Sequence, residues 1–347
     1  MSNLDMNRIK ILSILKQPYI RLLLIVVTGV CAYVLYDSGT IGARYSDADP
    51  AFNAGYWKSQ IAAQGSAKAF ALFKQKNESA PSQRQHFSAH VFGSVLAEHD
   101  GVEGITSCDS SFGFGCYHGF FSKIISEGGE TYIKKLDDAC VKVYGPFGTG
   151  CQHGIGHGIL EYVGYERVQD ALRLCGDTTQ RVPLLGCTSG VFMEYFTPLV
   201  QTGELLSQGQ RAFDEARPQA PCDVVTAPFK ESCFFELGHS YYTRFAADQK
   251  RLTQLCESVP APYRSYCYLG LGDLAGPSSH YRVEQAIAFC DAFSGVGRVA
   301  CRAGVAWSFF ANPAYRSQGT DICTLNSPQD TVECKRLADL TLGQANQ

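Results

Sequence analysis

Four of the eight histidines in the chain form two pairs with a spacing of four residues, His86 with His90 and His153 with His157. Residues four apart lie on the same face of an α-helix, so each pair presents two imidazoles side by side. Two imidazoles in this arrangement make half of a binding site for zinc, copper, nickel or iron. The spacing therefore predicts transition-metal chemistry, provided that helices carry the pairs.

Several histidines also keep a fixed distance from a preceding cysteine. His118 and His153 each follow a cysteine by two positions, and His157 and His239 each follow one by six. Positions two and six are again four apart and share a helix face. If the helices belong to stacked repeats, these imidazoles are expected to converge on one side of the array.

Two glutamates occupy neighbouring positions on the same predicted helices. Glu194 follows Cys187 by seven positions and Glu236 follows Cys233 by three, which places each carboxylate beside the histidine positions. Histidines with one carboxylate suit copper, iron or zinc, so a transition metal is the expected cofactor. The predicted ligands or outer partners are His86, His90, His118, His153, His157, His239, Glu194 and Glu236.

A structural role for the histidines is the alternative. Imidazoles at helix starts can cap the helix or bond loop carbonyls, and other repeats carry Ser189 or Phe235 at the same position. The sequence is compatible with two functions. One is a metal site with redox or hydrolytic chemistry, and the other is a metal-free scaffold that binds a protein or peptide on its concave face.

Several functional classes are disfavoured by the sequence. It contains no Cys-x-x-Cys-His, no Gly-x-x-x-x-Gly-Lys-Ser/Thr and no His-Glu-x-x-His. These absences argue against covalent haem attachment, P-loop nucleotide binding and the common metalloprotease helix. The formal net charge of −3 argues against nucleic acid as a partner.

The cysteines define the elements that must position these side chains. Apart from Cys31, the chain has 14 cysteines, and read as successive pairs their separations are 8, 11, 12, 11, 11, 11 and 11. The first members of the pairs recur at steps of 32, 35, 47, 34, 34 and 33, a period typical of helical hairpins. Fourteen cysteines in one chain favour an oxidising compartment in which disulfides form. The simplest pairing joins the two cysteines of each successive pair.

The segments between cysteine pairs have helical apolar spacing, as in Val168, Ala171, Leu172 and Cys175, and the loops within pairs carry Gly and Pro. Each unit is therefore predicted to be a helical hairpin that a disulfide staples to the next. This plan resembles the Sel1-like and tetratricopeptide repeat class, with Tyr268-Leu269-Gly270 as a fragment of the Sel1 signature. The resemblance implies a curved superhelix with a binding face and implies no chemistry.

The predicted fold is all-α: an α-solenoid over residues 108–336 with about seven disulfide staples, and one N-terminal transmembrane helix. Residues 54–107 are expected to cap the array with two helices, separated at 77–81, and residues 337–347 to form a C-terminal tail. The interval of 47 residues between the first cysteines of the third and fourth pairs is longer than the others, and the extra residues fall in 197–221. They are predicted to be an insertion, either functional or a tolerated surface loop.

The N-terminal region predicts attachment to a membrane. Residues 17–37 contain an uncharged apolar run from Leu22 to Tyr36, with cations before it and acidic residues after it. The charge bias predicts a cytoplasmic tail at 1–16, an anchor at 17–37 and a linker at 38–53 that leads to an extracytoplasmic domain. A cleaved signal peptide is the rival interpretation. The predicted location is a bacterial periplasm, with a eukaryotic secretory lumen as the alternative.

Overall fold

Every element in the described part of the chain is helical. The computed structural model describes residues 49–109, 111–145, 149–179, 184–196, 213–312 and 314–342. These residues contain fifteen α-helices and no strand, which confirms the predicted all-α class. The α-helices are α1 (Ala54–Gln64), α2 (Ser66–Asn77), α3 (Ser82–Asp100), α4 (Gly115–Gly128), α5 (Glu130–Tyr144), α6 (Thr149–Val163), α7 (Val168–Cys175), α8 (Cys187–Phe196), α9 (Lys230–Phe245), α10 (Gln249–Ser258), α11 (Arg264–Ser278), α12 (Val283–Asp291), α13 (Gly295–Ala311), α14 (Arg316–Ile322) and α15 (Pro328–Leu342).

The predicted membrane anchor at residues 17–37 lies outside the described residues. Within the part of the chain that the structure does describe, none of the helices combines the length and the apolar character that a membrane span requires.

Seven disulfides join the cysteines within each successive pair, so the predicted pairing is confirmed. The bonds are Cys108–Cys116, Cys140–Cys151, Cys175–Cys187, Cys222–Cys233, Cys256–Cys267, Cys290–Cys301 and Cys323–Cys334. From the second bond onward, each one except the fourth ties the end of one helical hairpin to the start of the next; Cys222 of the fourth bond lies in the turns before α9. Seven bonds of this kind point to an oxidising, extracytoplasmic environment.

The first helices of successive hairpins form a row, in the order α3, α4, α6, α8, α9, α11, α13 and α15. Each packs against its neighbours in the row, and the second helices α5, α7, α10 and α12 pack against the row. Helix α7 shows why the second helices dock in this way. Its Val168, Ala171, Leu172 and Cys175 are buried on one side and its charged residues lie on the other.

Glycines bring the backbones of neighbouring row helices into direct contact. A Cβ atom on Gly156 of α6 would lie 2.0 Å from the carbonyl oxygen of Cys187, and one on Gly190 of α8 would lie 1.9 Å from that of His153. Equivalent pairs of glycines join α3 to α4, α9 to α11 and α11 to α13. Among the described helices these four interfaces are also the most extensive. Close packing therefore offsets the helix-weakening effect of these glycines.

The capping region has three helices, so the prediction of two was wrong. The segment expected to be one helix before residue 77 breaks at Gly65, whose φ of +82° is left-handed and favours glycine. The break folds α1 and α2 against α3, so that Trp57, Phe73 and Phe92 pack together with no exposed surface. These large aromatic rings cover the end of the row at α3.

A buried carboxylate fixes one of the loops between hairpins. Asp137 of α5 accepts a hydrogen bond from the Gln152 side chain at 2.9 Å and one from the Thr179 backbone N–H at 2.8 Å. Its exposed fraction is 1%. The pair of bonds ties α5 and the start of the loop after α7 to α6, the helix that carries His153 and His157.

The predicted insertion at 197–221 lies partly outside the described residues, which resume at 213. From there to the start of α9 the chain forms turns without an α-helix, and the Tyr241 hydroxyl donates to the Pro218 carbonyl at 2.8 Å.

Candidate metal centre

Five histidines from three adjacent row helices lie together, and we call them the histidine cluster: His86 and His90 of α3, His118 of α4, and His153 and His157 of α6. The ring of His118 is central. Its centroid lies 4.2 Å from that of His157, 5.2 Å from His86, 5.4 Å from His90 and 6.4 Å from His153. The expected convergence of these imidazoles is therefore present in the folded chain.

His86 and His90 direct their Nε2 atoms at each other. The two atoms are 3.0 Å apart, and the Nδ1–H of His86 donates to the Phe112 carbonyl at 2.8 Å. A neutral imidazole has only one N–H, so this bond leaves the Nε2 of His86 with a lone pair that faces inward. His90 is buried and His86 is partly exposed.

His153 and His157 repeat this arrangement on α6. Their Nε2 atoms are 2.9 Å apart. The Nδ1–H of His157 donates to Glu194 at 2.8 Å. The Leu185 carbonyl lies near His153 and opposes the lowering of its pKa by burial. Glu194 also accepts a hydrogen bond from the Tyr165 hydroxyl. The outer nitrogen of His157 is thus held by a carboxylate, the pattern seen around metal-binding histidines.

His118 is the one member of the histidine cluster for which neither ring nitrogen has a hydrogen-bond partner, although its exposed fraction is 2%. Leaving buried polar atoms without partners is unfavourable by about 1–3 kcal/mol each, which calls for a ligand or a functional role. Two triads of possible ligand atoms include this residue, one with His86 and His90 and one with His153 and His157. Within each triad the ligand atoms lie within 4.8 Å of one another.

Burial keeps the histidine cluster neutral. It lowers the pKa of His86 and His153, and it lowers the pKa of His90, His118 and His157 well below the usual value, with help from the neighbouring imidazoles. A neutral imidazole is the form that binds metal ions. The site therefore presents nitrogen lone pairs at physiological pH.

The glycine contacts of the row hold the cluster in register. A Cβ on Gly119 would lie 1.9 Å from the carbonyl oxygen of His90, and Gly190 makes the corresponding contact with the carbonyl of His153. Each glycine thus fixes the backbone of a cluster histidine against the next helix. Substitution of either glycine would displace imidazoles as well as helices.

His239 and Glu236, which the sequence also assigned to the metal set, lie outside both triads. The Nδ1 atom of His239 is 2.9 Å from Glu236, and its Nε2 atom is 2.8 Å from Asp273 of α11. The Ser189 hydroxyl donates to Glu236. Burial opposes protonation of His239, but the charges of Glu236 and Asp273 outweigh it and raise its pKa to about 10. The two carboxyl groups therefore favour the protonated form of His239.

Some partners in the site were not found from the sequence. Asp273 follows Cys267 by six positions, the same offset as His157 and His239 from their cysteines, so a positional signal was available. The carbonyls of Phe112 and Leu185 carried no signal, because any residue supplies one. Tyr165 lies in the turn after α6, where the repeat pattern predicts no particular residue.

The chain was compared with known protein families, with curated protein sequences and with solved structures, and none of the three comparisons gave a match.

Proposed function

We propose that this protein binds a transition-metal ion in the histidine cluster. The observation that carries the proposal is the pair of Nε2 atoms of His153 and His157, 2.9 Å apart, with the other nitrogen of His157 already donating to Glu194. In the tautomer of His153 that carries its proton on Nδ1, both Nε2 lone pairs face the same point. Two nitrogens that bind one ion at about 2.05 Å and at right angles to each other, as in a tetragonal copper site, are about 2.9 Å apart.

A shared proton is the alternative occupant of this point. In that case neutral His153 carries its proton on Nε2 and donates it to the Nε2 lone pair of His157 as an ordinary hydrogen bond. Such a proton leaves both buried ring nitrogens of His118 without a partner. A metal ion that His118 also binds removes part of that cost, which favours the metal ion.

The donor set favours zinc or copper. All five inward-facing groups are imidazoles, which suit both ions, whereas a mononuclear iron site usually includes a carboxylate ligand. Glu194 is directed to the outer nitrogen of His157 and so acts as its orienting partner. A zinc ion would supply Lewis-acid chemistry and a copper ion would supply electron transfer, while the protein residues hold and orient the ion.

The setting of the site is proposed from the sequence together with the helix row. The helical hairpins form an α-solenoid, and residues 17–37 anchor it so that the disulfide-rich domain faces the periplasm. The seven disulfides and the cation bias before residue 22 support this arrangement. Metal handling or metal-dependent chemistry would then take place outside the cytoplasm.

Metal analysis of the full chain, purified without a polyhistidine tag, tests the proposal. The metal-free protein should take up Zn²⁺ or Cu²⁺ from solution, and His118→Asn should weaken uptake at least tenfold. His99→Gln is the matched control, because His99 is exposed and outside both triads. Failure of the wild type to bind either ion, or equal binding by His118→Asn, would overturn the proposal.

A further inference from the structure

The position of His118 raises the question of how many ions the histidine cluster holds. Helix α4 lies between α3 and α6 in the row, and each of these neighbours supplies one pair of histidines. His118 belongs to the triad on either side. An imidazole has two nitrogens on different edges of the ring, so it can serve one ion with each.

We infer that the histidine cluster binds two transition-metal ions that share His118 as a bridge. This inference rests on the proposed function and extends it from one ion to a pair. His86 and His90 complete the ligand set of the first ion, and His153 and His157 complete that of the second. The bridge gives both ring nitrogens of His118 a partner, which a single ion does not.

The spacing within each pair supports two separate positions. The Nε2 atoms of His86 and His90 are 3.0 Å apart and those of His153 and His157 are 2.9 Å apart. Either distance matches two ligands of one ion at an angle of about 90°, the angle of a tetragonal copper site. The outer nitrogens of His86 and of His157 are held by different acceptors, Phe112 and Glu194, so the two pairs are oriented independently.

The two positions differ in how firmly their ligands are held before binding. The first triad lies on α3 and α4, which glycine contacts lock together. The second spans α4 and α6, where the approach is looser: a Cβ on Gly158 would lie 3.1 Å from the Phe121 carbonyl oxygen, against 1.9 Å from Gly119 to the His90 carbonyl oxygen. Ligands that are already in place lose less conformational freedom on binding. The first ion therefore binds more tightly than the second.

Binding of the second ion releases a proton from the bridge. A neutral imidazole carries one N–H, and two nitrogen–metal bonds leave no site for that proton. The first ion occupies one nitrogen while the proton stays on the other. The second ion displaces it to solvent, and no electron is transferred.

Copper titration of the metal-free full chain tests the bridge. Two Cu²⁺ ions should bind per chain in two steps, and the electron paramagnetic resonance intensity should rise with the first ion and fall with the second. The fall is expected because an imidazolate bridge couples the two unpaired electrons antiparallel. His153→Ala with His157→Ala should bind one ion and keep its full intensity.

A variant that leaves every ligand in place provides a second readout. Glu194→Gln should leave the first step unchanged and weaken the second about 10–100-fold, because Glu194 orients only His157. One ion per chain, or two ions with full uncoupled intensity, would overturn the bridge and leave the proposed function standing. No bound copper or zinc at all would overturn both. Circular dichroism of each variant confirms that the helices are retained.

Discussion

Replacement of Gly119 by alanine should damage both the fold and the metal centre. The added Cβ would lie 1.9 Å from the His90 carbonyl oxygen, whereas an ordinary carbon–oxygen contact is about 3.3 Å, so α3 and α4 must separate by about 1.4 Å. Forced expansion of a packed interface destabilises a protein by about 1–3 kcal/mol, occasionally more. The contact here is backbone against backbone, and neither side can rotate away, so about 3 kcal/mol is expected.

The same displacement moves His118 away from His86 and His90. Ligand distances in a metal site tolerate changes of only about 0.2 Å, several times less than this separation. The affinity for the first copper ion should therefore fall about 10–100-fold, the range that follows disturbance of ligand orientation. Isothermal titration with Cu²⁺ and thermal unfolding of the metal-free full chain measure the two effects.

Gly304→Ala is the matched control for this experiment. A Cβ on Gly304 would lie 2.1 Å from the Leu269 carbonyl oxygen, at the α11–α13 interface and away from the cluster. It should destabilise the protein about as much as Gly119→Ala and leave copper affinity unchanged. Unchanged affinity in Gly119→Ala, or an equal loss in both variants, would refute the link between glycine packing and metal geometry.

Two further predictions concern stability. The metal-free protein should become less stable as the pH falls below about 6.5, because the buried cluster histidines stay neutral when folded and gain protons when unfolded. Each ring can lower the free energy of unfolding by at most about 1.4 kcal/mol per pH unit. Urea unfolding at pH 7.5 and 5.5 measures this, and equal stability at both would contradict it. Asp137→Ala should destabilise by about 1–3 kcal/mol, since it leaves the Thr179 backbone N–H without its acceptor and removes one of the two acceptors of the buried Gln152 amide. The exposed Asp138→Ala should change stability by less than about 0.5 kcal/mol in the same assay, and similar losses in both would count against the structural role of Asp137.

Much of the fold was predictable because the cysteines repeat. A constant separation near 11 within pairs and a period near 34 between them indicate a staple across a short loop between hairpins. The break at Gly65 could not be predicted from such a pattern, since a single glycine inside a helical segment is often tolerated. The packing of Trp57 against α2 and α3 decided the outcome there.

The site was predictable to the extent that it depends on helix faces. The four-residue spacing of His153 and His157 and the shared offset of His118 placed these rings on one side of adjacent helices. Their hydrogen-bond partners depend on contacts between distant parts of the chain, which spacing does not encode. His239 illustrates the limit, because its offset matches that of His157 but its neighbours are the carboxylates of Glu236 and Asp273.

The glycine contacts also divide the row into blocks with different mechanical behaviour. Backbone contact fuses α3 with α4, α6 with α8, and α11 with both α9 and α13. Among the described residues, contacts this close are absent at the α4–α6, α8–α9 and α13–α15 boundaries, so bending of the row would concentrate at these three joints. The histidine cluster crosses the first joint, and the bond from Ser189 to Glu236 crosses the second. Metal binding would then stiffen the row at one of the three boundaries where it can flex.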